Sequence, residues 1–278
     1  TGGDQLDILN TTIKNAGYGI IDIGGFTAEA PAALYVTNSG NMDDSKIIDS
    51  GGYGYYNESE DRQFFRFRRT LFQNTALPAI RTNMASVEYT IKLAHDNIFD
   101  LAEGLAAYLV VGDGSPSIWP GLGDDNFYLI DGNIQAENSI SIDEGGYLKF
   151  KSGRAFIWDN ENAEIYCRGR QGNPVILDGE AGTPGSWGGV YLAGRFRFEG
   201  TIIRNGGEFI LPGATELANV ISAIPSGASW YREMIYSTIS SSDGYGIVVE
   251  QNTEDFGYDS PDKFNSFDNN ASGDVLRK

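Results

Sequence analysis

Four stretches of the chain share one pattern: residues 139–150 read SISIDEGGYLKF, residues 173–179 read NPVILDG, residues 185–192 read GSWGGVYL and residues 201–207 read TIIRNGG. In each, a short run rich in β-branched or aromatic residues is bounded by Gly, Asn or Asp, which favour turns. No helical pattern interrupts this rhythm between residues 118 and 207. Short strands that recur at intervals of roughly 20–25 residues predict a stack of coils, each built from short strands.

An alternating segment supports this fold class in the first half of the chain. Phe65 and Phe67 alternate with Arg66 and Arg68, and a period of two predicts a strand with one buried face. The arginines could bind a polyanion, but an ordinary solvated face is the better interpretation of so short a segment.

An internal repeat links the two halves. Three pairs of segments match in the same order, with an offset that drifts slowly: 13–17 with 203–207, 52–54 with 244–246, and 72–76 with 267–271. We therefore expect about one and a half tandem modules. Residues 1–111 are predicted to be the later coils of a first module, 112–126 a Gly-, Pro- and Asp-rich junction, and 127–278 a second module stacked continuously on the first.

One segment is ambiguous. Residues 92–108 contain Leu and Ala at a density that suits a short helix, but Gly104 interrupts them and Tyr108 to Val111 reads as a strand. We favour turns and strands throughout 92–111.

The segments quoted at the outset, together with Trp119-Pro120, resemble the right-handed parallel β-helix domains of bacterial secreted and cell-surface proteins, a type common in Bacteroidetes exoproteins and lipoproteins. Where that family has Pro-Gly after the acidic residue, this chain has Glu144-Gly145-Gly146. The resemblance implies an all-β, right-handed parallel β-helix (solenoid). The family includes adhesins, carbohydrate-active enzymes and proteins without assigned activity, so it implies little about function.

The net charge restricts the classes of partner that we expect this chain to bind. The net charge is −18, from 38 acidic and 20 basic residues, which predicts no nucleic-acid partner and no attraction to anionic membranes. No run approaches the roughly 18 apolar residues of a membrane span.

Cys167 is the one cysteine and lies in an apolar run, so we expect a buried thiol. The chain begins at Thr1 without a leader, which predicts a processed protein or a piece of a longer one. The resemblance to bacterial secreted and cell-surface domains implies a location outside the cell or on the bacterial surface.

Pairs of carboxylates are the candidate metal ligands. Asp43 with Asp44 and Asp124 with Asp125 lie in turn-like segments, and Ca²⁺ prefers such oxygen ligands. Adjacent Asp residues also occur in turns for conformational reasons alone. No other cofactor is predicted. His95 is the one histidine, and we expect it to be an ordinary turn residue because a lone His rarely defines a zinc site.

Aromatic residues are the candidate ligand-binding groups. Tyr53, Tyr55, Tyr56 and Tyr245 lie near turns and are predicted to form an exposed aromatic surface. Trp187, between glycines, is predicted to lie in the core instead of stacking on a sugar.

The sequence favours a non-catalytic extracellular or cell-surface protein that acts as an adhesin or scaffold, with glycans or other surface and secretion-system proteins as partners. The alternative is a polysaccharide lyase or glycoside hydrolase that acts on a long face of the coil. No catalytic set is recognisable, and the sequence predicts no catalytic residues.

Overall fold

The computed structural model describes residues 6–20, 22–23, 26–27, 30–36, 39–57, 65–92, 96–123, 125–135, 137–160, 162–224, 232–251, 253 and 255–278. The chain is almost entirely β, with one α-helix in this described part. It divides into two compact units. Unit 1 comprises Thr1–Val111 and Asp125–Tyr128, and unit 2 comprises Gly112–Asp124 and Leu129–Lys278. No described helix is long and apolar enough to cross a bilayer.

Unit 1 contains short strands and the α-helix. The elements are β1 (Leu6–Leu9), β2 (Thr12–Lys14), β3 (Asp22–Ile23), β4 (Phe26–Thr27), β5 (Ala32–Tyr35), β6 (Gly40–Asp43), β7 (Lys46–Ile48), β8 (Tyr53–Tyr56), β9 (Phe65–Arg68), β10 (Leu71–Gln73), β11 (Ile80–Asn83), α1 (Met84–Lys92), β12 (Ile98–Asp100) and β13 (Tyr108–Val111). Three parallel sheets group these strands as β1-β6-β9, β2-β7-β10-β12 and β5-β8-β11-β13, and β3 pairs with β4 in antiparallel fashion.

Unit 2 has the same organisation. Its elements are β14 (Ile118–Trp119), β15 (Tyr128–Asp131), β16 (Ile134–Gln135), β17 (Ile140–Ile142), β18 (Tyr147–Phe150), β19 (Phe156–Trp158), β20 (Glu164–Arg168), β21 (Val175–Gly179), β22 (Val190–Leu192), β23 (Arg195–Glu199), β24 (Thr201–Arg204), β25 (Ala218–Ser222), β26 (Arg232–Ile235), β27 (Thr238–Ser240), β28 (Tyr245–Val249), the 3₁₀ turn Pro261–Lys263, β29 (Ser266–Asp268) and β30 (Gly273–Arg277). From β14 to β28 the chain visits three parallel sheets in a fixed order, so that every third strand pairs.

The inward faces of the strands form the core. In unit 1, Phe65 and Phe67 are fully buried while Arg66 and Arg68 are half-buried on the other face, which confirms the predicted alternation. In unit 2, Trp187 is fully buried and stacks on Phe150 at 4.5 Å between ring centroids. The prediction that Trp187 belongs to the core is confirmed.

Among the described residues, corners with left-handed backbone bound six of the strands: β2, β7, β10, β24, β27 and β29. A residue with positive φ precedes the strand and a second follows it five residues later. The first kind comprises Asn10, Asp44, Arg69, Gly200, Tyr236 and Phe264, and the second comprises Asn15, Asp49, Asn74, Asn205, Ser241 and Asn269. Asn and Asp tolerate this conformation because a short polar side chain stabilises it locally. Asn and Asp therefore set the direction of the chain at seven of these twelve corner positions.

A ladder of side-chain hydrogen bonds follows the first corner. In unit 1 the Thr11 amide donates to Ser45 Oγ (3.0 Å), and the Thr70 amide donates to Asn97 Oδ1 (3.0 Å). In unit 2 the Thr201 amide donates to Ser237 Oγ (3.2 Å), and the Ser237 amide donates to Asn265 Oδ1 (3.0 Å). These bonds satisfy backbone donors that turn away from the sheets.

The repeat in the sequence corresponds to equivalent positions in the two units. A Cβ on Gly54 would lie 2.7 Å from the Ala79 carbonyl oxygen, and one on Gly246 would lie 2.6 Å from that of Asp274. Both glycines therefore permit close approach of the next coil, so the matching segments do the same structural work.

Helix α1 (Met84–Lys92) is the element that sequence reasoning missed. Asn83 Oδ1 accepts a hydrogen bond from the Ser86 amide (2.7 Å) and so caps the helix N-terminus. Met84, Val87 and Ile91 form its buried face, at the i, i+3, i+7 spacing of a helix. The turns and strands expected after it are present as β12 and β13.

Candidate ligand-binding cleft

A cleft of about 610 Å³ opens on the surface of unit 2, where β24, β27 and β29 meet their preceding corners. One wall is the loop of residues 169–174, and the other is formed by Tyr236 and Phe264. The floor includes the outward-facing side chains of Ile202, Thr238 and Ser266, which are neighbours in register on the three strands.

Two exposed aromatic rings form the second wall. Tyr236 is 58% exposed and Phe264 is 63% exposed. Their ring centroids are 5.2 Å apart and their planes differ by 6°. Large apolar side chains with this exposure are unusual at neighbouring positions unless they contact something else.

The backbone beneath the rings is strained. Tyr236 and Phe264 have φ values of 50° and 55°, in the left-handed region that bulky residues rarely adopt. Such a conformation costs about 1–2 kcal/mol per residue. Strain of this kind clusters at functional sites. Two consecutive coils carry it here, and Arg69 (φ 48°) carries it in unit 1.

A glycine keeps one side of the aromatic pair open. Phe264 stacks on one face of the Tyr236 ring, and the neighbouring coil has Gly200 (φ 54°) at the equivalent corner. A Cβ on Gly200 would lie 2.7 Å from the Gly169 carbonyl carbon. The close approach of Gly169 thus excludes a side chain at position 200, and the Tyr236 ring lines the cleft.

The opposite wall is a tight loop. The Arg170 and Asn173 backbones exchange hydrogen bonds of 3.2 and 3.0 Å, and Gly172 (φ 90°) makes the turn between them. Outside the cleft, Glu144 accepts a hydrogen bond from Asn173 Nδ2 (3.2 Å) and pairs with Arg170 Nε (3.2 Å). These contacts hold the wall in a defined position.

A polar network lies beside the floor on the same sheet. The carboxylate of Asp178, which is 2% exposed, accepts hydrogen bonds from Tyr147 Oη (3.1 Å), Arg204 Nε (2.8 Å), Asn205 Nδ2 (2.7 Å) and the Gly179 amide (2.8 Å). Burial and the Asp178 charge raise the pKa of Tyr147 to about 12. The carboxylate is fully satisfied, so this network orders β18, β21 and β24.

Two of the four tyrosines predicted to form an exposed aromatic surface lie in the interior. Tyr55 and Tyr56 are buried: Tyr55 packs on Phe65 and Phe67, while Tyr56 is covered by Tyr35 and the Arg81 guanidinium. The predicted exposure of these two rings is corrected, because neighbours from adjacent coils cover both. Tyr53 and Tyr245 are half-exposed and belong to different units. A binding role for these two stays a prediction.

The predicted metal ligands engage cations of the protein. Asp43 pairs with Arg68 and Arg66, and Asp44 pairs with Arg69 Nε at 2.6 Å. Asp125 is exposed, and Asp124 lies outside the described residues. No group of three or more His, Cys, Asp or Glu side chains within the described ranges could hold a metal ion. Calcium binding stays a prediction.

The remaining candidates are accounted for. Cys167 is a buried free cysteine, as expected, and burial raises the pKa of its thiol. His95 lies outside the described residues. The aromatic wall was missed although a signal exists: by the offsets of the repeat, Tyr236 stands where the first half has Asp44, and Phe264 stands where it has Arg69.

A comparison with known protein families, curated protein sequences and solved structures gives no match to this chain, so the geometry of the cleft carries the functional interpretation.

Proposed function

We propose that this chain is a right-handed parallel β-helix protein of the bacterial exterior or cell surface that binds glycans without turning them over, and that the cleft bounded by Tyr236 and Phe264 is the binding site. A role as an adhesin or scaffold follows from such binding. The observation that carries the proposal is the pair of exposed, stacked aromatic rings held on strained backbone.

The topology supports the β-helix. In both units the strands pair in parallel with the strand three places along the chain, apart from the ends and the β3–β4 pair. A chain that returns to the same sheet after two intervening strands describes a coil, and parallel crossovers are overwhelmingly right-handed. The resemblance of residues 117–207 to bacterial β-helix domains agrees with this interpretation.

The chemistry of the cleft supports a sugar. The C–H face of a pyranose ring packs against an aromatic face, and its hydroxyls bond with polar side chains. The cleft combines a Tyr236 face with the hydroxyls of Thr238 and Ser266, which lie 2.9 Å apart. A few polar groups in a partly apolar recess are typical of small-ligand sites.

The cleft favours binding over catalysis. Glycoside hydrolases require two carboxylates that flank the scissile bond, whereas Glu199 is the one carboxylate in the described lining and is paired with Arg197 Nη2 at 3.1 Å. The hydrolase and lyase alternatives are therefore treated as outcomes of the test.

The test is a glycan array probed with the wild-type protein and with the Tyr236→Ala/Phe264→Ala double variant. We expect the wild type to bind a subset of glycans and the double variant to lose that signal. Bound oligosaccharides are recovered and analysed for new reducing ends and unsaturated products. Absence of wild-type binding across the array, or cleavage of the bound glycan, would overturn the proposal.

A further inference from the structure

We infer that the cleft selects a neutral oligosaccharide, not a charged one, and holds it along the direction in which the coils stack. The inference rests on the proposed function, since it specifies the ligand of the same site.

The charges of the lining cancel. Arg170 is its one cation and Glu199 its one anion among the described residues. Each is already paired with a side chain outside the lining: Arg170 with Glu144 at 3.2 Å, and Glu199 with Arg197 at 3.1 Å. The Arg170 guanidinium is 79% exposed and pairs through Nε, so a uronate carboxylate bound there would share it with the Glu144 carboxylate and would be repelled by it. A neutral sugar meets no such repulsion.

The electrostatic potential of the whole chain also disfavours a negatively charged sugar. A net charge of −18 repels polyanions at a distance, because clefts and surfaces share the summed potential of the protein. Arg170 is the one cation in the described lining and it already faces Glu144, so a uronate-containing chain is disfavoured on approach and at contact.

The length of the cleft fits an oligosaccharide. Its lining extends over four successive coils, represented by Gly169, Gly200, Tyr236 and Phe264. At the usual spacing between neighbouring strands of about 4.8 Å, three intervals span roughly 14 Å. One monosaccharide would leave much of this length empty, so affinity is expected to rise with the number of sugar units.

The hydroxyls of the floor are arranged in the same direction. Thr238 and Ser266 are register partners on β27 and β29, and their hydroxyl oxygens are 2.9 Å apart. Each hydroxyl can both donate and accept, which suits the hydroxyls of a neutral sugar. A chain that runs across the strands can contact both.

The test is a competition experiment with the folded wild-type protein. Neutral oligosaccharides of one to four units, and uronate-containing oligosaccharides of the same lengths, compete for a fluorescent glycan identified on the array. We expect the neutral series to compete better as its length increases, and its binding to vary little with salt because no ion pair forms. The uronate series should compete at least tenfold less well at every length.

A variant pair assigns the effect to the floor. Thr238→Val retains the shape and removes a hydroxyl, and should weaken neutral-sugar binding about fivefold. Ser240→Ala, on the same strand but outside the lining, should leave binding unchanged. Preference for the uronate series, or equal affinity for one and four units, would overturn this inference while the aromatic cleft could still bind glycans. Loss of all binding in the wild type would instead refute the proposed function.

Discussion

Tyr236 and Phe264 show how a residue can be selected against its own backbone preference. Corners of the same type in unit 1 carry Asn10, Asp44 and Arg69. Asn and Asp adopt positive φ at low cost, and Arg69 pairs with Asp44. Burial in the core does not stabilise an aromatic ring at these corners, since both rings are more than half exposed. Under the proposed function, contact with a glycan compensates this strain.

Asp43 makes stability depend on acid. It accepts hydrogen bonds from Arg68 Nε at 3.2 Å, and this contact holds the pKa of the carboxyl below its usual range. Because the folded pKa lies below the unfolded one, the stabilisation is present at neutral pH and is lost as pH falls through the folded pKa, below about pH 4.

We expect Asp43→Asn to lower the urea midpoint at pH 7 and to flatten its dependence on pH, so that variant and wild type converge near pH 2. The matched control is Asp44→Asn, whose pair with Arg69 is exposed on both sides and should matter little. Urea unfolding at a series of pH values measures this. Parallel profiles for Asp43→Asn and wild type would contradict the assignment.

Tyr55 carries a hydroxyl that the fold does not use. It is fully buried, and no hydrogen-bond partner is within reach among the described residues. Burying the Tyr55 hydroxyl removes it from water without giving it a hydrogen bond, which costs free energy. Tyr55→Phe is therefore expected to leave the free energy of unfolding unchanged or raise it by about 1 kcal/mol.

The control for this change is Tyr258→Phe, which removes a buried hydroxyl that bonds Ser222 Oγ at 2.9 Å. It should cost about 1 kcal/mol. Chemical denaturation of both variants decides the matter: a larger loss in Tyr55→Phe than in Tyr258→Phe would show that the Tyr55 hydroxyl has a partner.

At the scale of elements, the side-chain ladder replaces backbone pairing at the corners. Asn97 accepts from the Thr70 amide and donates to the Phe67 carbonyl, both at 3.0 Å. Asn265 accepts from the Ser237 amide (3.0 Å) and donates to the Met234 carbonyl (2.8 Å). The same amide side chain therefore bridges two coils in each unit.

We expect Asn97→Ala and Asn265→Ala each to reduce the free energy of unfolding by about 2 kcal/mol, because each substitution removes the hydrogen-bond partner of a shielded backbone donor and acceptor. Gln73→Ala is the control: it removes a bond to Asp100 on the exposed surface and should cost less than about 0.5 kcal/mol. Denaturation midpoints measure all three. Equal losses of unfolding free energy in all three variants would contradict a specific stabilising role for the ladder.

The elements also show what the sequence could and could not predict. Alternation at Phe65 and Phe67 and the glycine-flanked Trp187 were readable, because period and turn chemistry act locally. Tyr55 and Tyr56 were not, because their burial depends on rings from other coils. Helix α1 escaped prediction because it is only nine residues long and lies between strands, although its apolar spacing and the Asn83 cap were visible.

At the scale of the whole molecule, the repeat and the site differ in how they are encoded. The repeat recurs in two units through equivalent glycines and corners, so self-similarity in one sequence was enough to find it. The cleft breaks that repeat at Gly200, Tyr236 and Phe264. A site that departs from the pattern can be recognised only when corresponding coils are aligned, which requires the strand register.

The most direct measurement is a calorimetric titration of a bound glycan with wild type, Tyr236→Asn and Ser241→Asn, paired with thermal unfolding. Both substitutions place Asn at a left-handed corner, so neither should destabilise the fold. Relief of strain in Tyr236→Asn, worth about 1 kcal/mol, offsets the lost ring stacking. We predict that Ser241→Asn binds like wild type and that Tyr236→Asn, equally stable, does not bind detectably. Undiminished binding by a stable Tyr236→Asn variant would contradict the account.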